Sequence, residues 1–136
     1  MFSHIFFGVA DYQRARDFYV PIMRVLGLRQ RFDDPEKSWA AWQPATLGRP
    51  LFIIGLPFDG AAHGAGNGQM VAFMASCRAA VDQAHALALA HGGTDEGPPG
   101  LRPHYHDNYY GAYFRDLDGN KVCVVCHEAE DGARSA

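Results

Sequence analysis

MVAFMASCRAAVDQAHALALAHGG, Met70 to Gly93, repeats the plan on which the chain opens. A strand-like run, Met70–Ala75, is followed by Ser76, a residue suited to cap a helix. An Ala-rich amphipathic helix comes next and is closed by Gly92-Gly93. A shift of 66 residues lays this stretch on HIFFGVADYQRARDFYVPIMRVLGL, with His4 on Met70 and Gly27 on Gly93. The helix start at Asp11 then falls beside Ser76–Cys77. A repeat of this length is a structural unit used twice, and it is read before any motif.

In the first copy, His4–Ala10 reads as a strand and Asp11 as the N-cap of a helix. Proline lacks the amide hydrogen a helix interior needs, so Pro21 predicts an end or kink near Tyr19. Strands are expected at LRQRFD, SWAAWQP and PLFIIG, then a Gly-rich loop through Gly68. Trp39 and Trp42 stand three apart on a strand, so their rings face opposite ways. In the second copy, EGPPGLRPHYHDN reads as a loop, and strands follow at YYGAYFRD and KVCVVCH around an Asp116–Asn120 turn. The small polar tail from Ala129 is expected to fray. The predicted fold is α+β, two βαβββ modules forming a half-open, barrel-like sheet. One domain, 1–136, is made of module 1–58 and module 69–128 joined by loop 59–68.

The chain has 136 residues, 48% hydrophobic content and net charge −3, enough for one packed domain and without a basic surface for nucleic acid. No apolar run reaches membrane-spanning length, and no basic residue precedes Arg14, so neither a membrane segment nor a signal peptide is read. Three cysteines suit a reducing, cytoplasmic setting better than a disulfide scaffold. Cys123-Val124-Val125-Cys126-His127 matches the C-x-x-C-H pattern of haem attachment. On a strand, however, the two sulfurs point to opposite faces, so no haem is expected.

The N-terminal HIFFGVADYQRARDFYVPIMRVLGL, the restart at Met70 and the terminal GAYFRDLDGNKVCVV together resemble the vicinal oxygen chelate superfamily. This is the group of glyoxalase I, bleomycin-resistance protein and the extradiol dioxygenases. The resemblance spans about Phe2 to His127, and the RDLDGNKV hairpin is its most specific piece. It implies paired βαβββ modules and a homodimer. In metal-binding members it implies a His on the first strand of each module and a Glu or His on the last. His4 matches the first of these positions, the second-module His falls on Met70, and the last-strand Glu falls on Cys123. Ala45 to Phe58 contains no Asp, Glu, His or Cys. Two donors do not make a strong divalent site, so the usual metal is expected to be absent. If one were bound, His4 and Cys123 would be its ligands.

RPHYHDNYYGAY is the densest polar-aromatic cluster. His104 and His106 have the spacing of an acid–base or metal pair. With His4 and Tyr109 they are the candidate catalytic groups. Met70, Tyr110, Tyr113 and Cys123 are expected to line a pocket, with Arg102 to hold a carboxylate or phosphate. His63, His85, His91 and His127 receive no role. Two functions are compatible with this set. One is a lyase- or dioxygenase-type enzyme acting on a small molecule in the cavity. The other is a metal-free protein of the same fold that binds or sequesters a small molecule.

Overall fold

The computed structural model describes residues 1–130; the expected fraying of the last six lies outside the described residues. Along the chain run β1 (His4–Gly8), α1 (Tyr12–Val25), β2 (Arg29–Asp34), β3 (Trp39–Gln43), β4 (Leu51–Gly55), β5 (Val71–Met74), α2 (Arg78–Ala90), β6 (Thr94–Leu101), β7 (Tyr110–Arg115) and β8 (Lys121–Cys126). They form two four-stranded mixed sheets of the same design, β1-β4-β3-β2 and β5-β8-β7-β6, neither of them a closed barrel. In each, the first strand pairs parallel with the last, and the remaining neighbours are antiparallel. The α+β fold read from the sequence is the one observed.

Local chemistry explains most element ends. Asp11 is extended, and its carboxylate accepts the Arg14 amide at 3.1 Å, as an N-cap should. The second helix is capped by Cys77, not Ser76, and without a side-chain bond. Pro21 does not end α1, which continues to Val25. Its inward face, Tyr12, Ala15, Phe18, Tyr19, Ile22 and Met23, is buried on both sides of the proline, and that packing outweighs the lost hydrogen bond. The stretch read as a loop from Glu96 is also corrected: Thr94–Leu101 is a strand on β7, bulged at Asp95/Gly97 and Gly97/Gly100. It lies at the edge of its sheet, where Pro98 and Pro99 are tolerated because one side needs no donor.

The two halves pack together within the one chain. The helices touch each other, and one apolar core takes Phe18, Tyr19 and Phe52 from the first half with Phe73, Phe114 and Val124 from the second. Trp42 belongs to this core, whereas Trp39 packs with Phe32 on the other face of the first sheet. At the seam, the Asp116–Asn120 turn docks on the first half. Asp116 Oδ2 accepts from the Tyr19 hydroxyl at 2.6 Å and from Asn120 Nδ2 at 3.0 Å. Its Oδ1 accepts the amides of Asp118 and Asn120 at 2.9 Å each. Asp118 in turn accepts the Ala10 amide. Asn120 Nδ2 also donates to the Gly8 carbonyl at 3.1 Å. With both amide hydrogens given away, Asn120 Oδ1 must accept from His63 Nε2 at 2.9 Å, which places the proton on that nitrogen.

Candidate ligand-binding site

The faces of β7 and β8 alternate, and that alternation builds the site. On β8, Val122, Val124 and Cys126 join the core beneath the helices, while Cys123 turns to the opposite face. The two sulfurs of the C-x-x-C-H segment therefore lie on opposite sides of the sheet. On β7, Tyr113 pairs across the ladder with Cys123, and Tyr110 pairs with Cys126. Tyr113 thus shares the face of Cys123 and Tyr110 does not. The structure leaves Tyr110 out of the site: its hydroxyl bonds Asp82 of α2 at 2.6 Å, and the Arg78 guanidinium lies over its ring. That bond to a carboxylate is the main reason its pKa is pushed up to about 12.

At the centre is a chain of three groups. Tyr109 Oη lies 2.8 Å from Tyr113 Oη and 3.5 Å from Cys123 Sγ. Burial pushes the Cys123 thiol up, against smaller downward pulls from the two tyrosines, Arg102 and Lys121. Burial likewise raises Tyr109 and Tyr113 above the usual phenol value. All three groups hold their protons near neutral pH. Their folded-state values lie above the unfolded ones. The stability tied to their protonation is therefore present below about pH 8.5 and is lost as pH rises through the alkaline range.

Two adjoining cavities open over this chain. One, of about 490 Å³, is lined by Gln69, Met70, Tyr105, Tyr109, Tyr113 and Lys121 among others. The second, of about 390 Å³, lies beyond Tyr113 and is walled by Arg102, His104, Tyr105 and Lys121. Both fall within the size range of small-molecule sites. Four of the expected pocket residues, Met70, Arg102, Tyr113 and Cys123, gather here with Tyr109, and His104 stands at the rim against Tyr105, ring centroids 4.3 Å apart.

His106 turns instead to His127, with Nε2 and Nδ1 2.8 Å apart and the rings stacked. Both rings meet Tyr109 edge-on. His4 is exposed, bonds Ser3 Oγ at 2.9 Å, and lines neither cavity.

Sequence reasoning missed Lys121, Tyr105 and His127. The first and last were findable: 121, 123, 125 and 127 fall on one face of a strand, so the face that holds Cys123 also holds them. Tyr105 gave no such signal, because it sits in the turn before β7.

The resemblance implies a divalent metal in the members that bind one, and these residues decide whether it fits. Of the family positions, His4 and Cys123 offer donors, Met70 offers a thioether, and β4 presents only buried Leu51–Gly55. A metal-binding cysteine must be a thiolate, whereas here burial favours the thiol. Among the described residues no group of three or more His, Cys, Asp or Glu side chains is placed to hold an ion. The usual metal does not fit this donor set.

The burial pattern also predicts thiol reactivity. Cys77 is exposed, whereas Cys123 and Cys126 are buried. A thiol reagent near neutral pH is expected to label one cysteine in the native protein and three after unfolding. Rapid native labelling of Cys123, read by mass spectrometry, would contradict its place behind Tyr109.

Comparison with known proteins agrees with the fold. Residues 1–124 match the Glyoxalase/Bleomycin resistance protein/Dioxygenase superfamily. A glyoxalase/bleomycin resistance protein from Albidiferax ferrireducens is similar at 35% identity and TM-score 0.83, covering 93% of this chain and 98% of that one. A lactoylglutathione lyase from Agrobacterium tumefaciens shares the fold at 23% identity and TM-score 0.60, over 93% and 92% of the two chains. So does TioX from Micromonospora sp., at 19% identity and TM-score 0.63, over 94% and 99%. No curated protein matches. The chain belongs to the Glyoxalase/Bleomycin resistance protein/Dioxygenase superfamily.

Proposed function

We propose that this superfamily member binds a small organic molecule, without a metal, in the cavity over β7 and β8. One observation carries the reading: at the position where the resemblance implies a metal-ligating glutamate stands a buried thiol, tied into the Cys123–Tyr109–Tyr113 chain. The hydrogens of this chain can run from Cys123 S–H to Tyr109 and from Tyr109 O–H to Tyr113. That direction leaves the Tyr113 hydroxyl hydrogen free for an oxygen of the ligand. Met70 and Tyr105 supply apolar wall beside it.

The test is a thermal-shift screen of small aromatic and oxygen-rich compounds, followed by titration calorimetry on Tyr113→Phe. A ligand at 100 times its Kd adds about 2.7 kcal/mol and raises Tm by several degrees. Tyr113→Phe removes one donor and is expected to weaken that ligand about tenfold. A screen without a hit, or equal affinity in the variant, would overturn the proposal.

A second reading, a metal-free lyase-type enzyme, draws on the His106–His127 pair beside Tyr109. His106 Nδ1 accepts the Asn108 amide at 3.2 Å, so its Nε2–H donates to His127 Nδ1, and His127 Nε2 is left to exchange a proton with a substrate. Turnover abolished by both His106→Gln and His127→Gln would favour this reading. Binding without chemical change of the ligand favours the first.

A further inference from the structure

We infer that the ligand of this cavity is an aromatic carboxylate, its acid group anchored between Lys121 and Arg102 and its ring lying against Tyr105 and Met70. The inference rests on the binding function just proposed.

Charge gives the first reason. Lys121 and Arg102 both lie beside Tyr113, ammonium and guanidinium carbon 5.7 and 5.6 Å from its ring centroid. Among the described residues neither has a carboxylate partner. Arg102 donates to the carbonyls of Pro98 and Gly100, and the described contact of the Lys121 ammonium is the Tyr113 ring. Arg115 is on the same wall, but Glu96 offsets it at 3.2 Å. Lys121 and Arg102 therefore face one small concave site whose lining carboxylate, Glu96, is paired with Arg115, on a chain of net charge −3. Such a site concentrates anions. Both charges also act on the nearby Cys123 thiol, lowering its pKa against the larger effect of burial.

Donor chemistry gives the second. The Tyr109–Tyr113 pair ends in the hydroxyl of the ring that both cations approach, and a carboxylate oxygen accepts well from a phenol. One terminal guanidinium nitrogen bonds each backbone carbonyl, which holds Arg102 at a fixed angle. One hydrogen on each terminal nitrogen is left for the two oxygens of a carboxylate.

Shape gives the third. Tyr105 is 61% exposed and Met70 43% exposed at the cavity mouth. Tyr105 packs near Tyr109, centroids 4.8 Å apart, and near His104 at 4.3 Å, so its exposed part, with Met70, is the apolar surface left to a ligand. A ring attached to the carboxylate covers that surface.

The experiment uses benzoate, phenylacetate and 2-naphthoate, each beside its methyl ester, on the full chain. Calorimetry gives affinity, and amide shifts of residues 105–113 and 121–123 in ¹⁵N-resolved spectra give location. The acids are expected to shift these amides, to bind at least about tenfold tighter than their esters, and to weaken with added salt. Lys121→Met and, separately, Arg102→Met are each expected to remove most of that preference; Arg102→Met, which also loses its two bonds to backbone carbonyls, is expected to lower the melting temperature by several degrees, and Lys121→Met is not. Acid and ester binding equally at these amides would overturn the ligand class and leave the binding function standing. Loss of acid binding in neither variant would likewise overturn the anchor. If neither probe shifts these amides, and no compound of the wider screen does, both the ligand class and the binding function fall.

Discussion

Asp116→Ala is expected to cost about 3–5 kcal/mol of stability, a fall in Tm on the order of 10 °C or more. Asp116 is 5% exposed and accepts from the Tyr19 hydroxyl, the Asn120 side chain and two backbone amides. Alanine leaves these donors facing one another, and each buried donor left without a partner costs about 1–3 kcal/mol. Tyr19 is fully buried, and burial together with the Asp116 charge raises its pKa well above the usual phenol value. It stays protonated as a donor and has no water to turn to. The damage is not local to the turn, because Asn120 and Asp118 also hold Gly8 and Ala10 of the first half. Tyr19→Phe removes only one bond and leaves Asp116 with three donors, so it is expected to cost about 1–2 kcal/mol. Urea unfolding of the two variants checks both values. A loss below about 1 kcal/mol in Asp116→Ala would mean that the turn does not clasp the halves.

Phe52→Ala is expected to cost a similar amount, about 3–5 kcal/mol, for an apolar reason. The ring is 4% exposed. It meets Phe7, Tyr19 and Trp42 of its own half and Phe73 of the other, with centroids 4.9–6.3 Å apart across this group. Truncation opens a cavity at the seam, where two rigid sheets limit the collapse that would refill it. Phe52→Leu keeps most of the volume and is expected to cost roughly 1–1.5 kcal/mol. Phe58→Ala, at a position fully open to solvent, is expected to stay within about 0.5 kcal/mol. Chemical denaturation of the three variants should order them Phe52→Ala, Phe52→Leu, Phe58→Ala. Phe52→Ala and Phe58→Ala of equal stability would contradict the shared core.

What was legible in the sequence was what local chemistry writes there. Asp11 ahead of a helix, and Gly27 and Gly92-Gly93 behind one, are short-range signals, and they gave the repeat and with it the fold. Thr94–Leu101 was not legible, because Gly97, Pro98, Pro99 and Gly100 describe a loop until β7 offers them a ladder. Pro21 misled for a related reason: its cost is local, and the packing that outweighs it is contributed by distant strands.

At the site, strand alternation correctly separated Cys123 from Cys126. Applied to Tyr109, Tyr110 and Tyr113, the same rule would have set Tyr110 apart. The His106–His127 contact depends on the Tyr110–Cys126 register, which brings Tyr109 opposite His127 and appears only when β7 and β8 are paired. Of the cationic wall, Arg102 was named from the sequence as a carboxylate or phosphate anchor, whereas Lys121 of β8 joins it only through the fold.

The most direct test of a metal-free cavity is the Kd of the tightest aromatic acid, measured calorimetrically on chelator-treated, tag-free protein. It is then measured again after one equivalent of Ni²⁺, Zn²⁺, Mn²⁺ or Fe²⁺. The site described here predicts full binding without metal, a Kd unchanged within about twofold by each ion, and less than about a tenth of an equivalent retained after dialysis. Binding that appears only with a metal, together with stoichiometric retention of that ion, would contradict it.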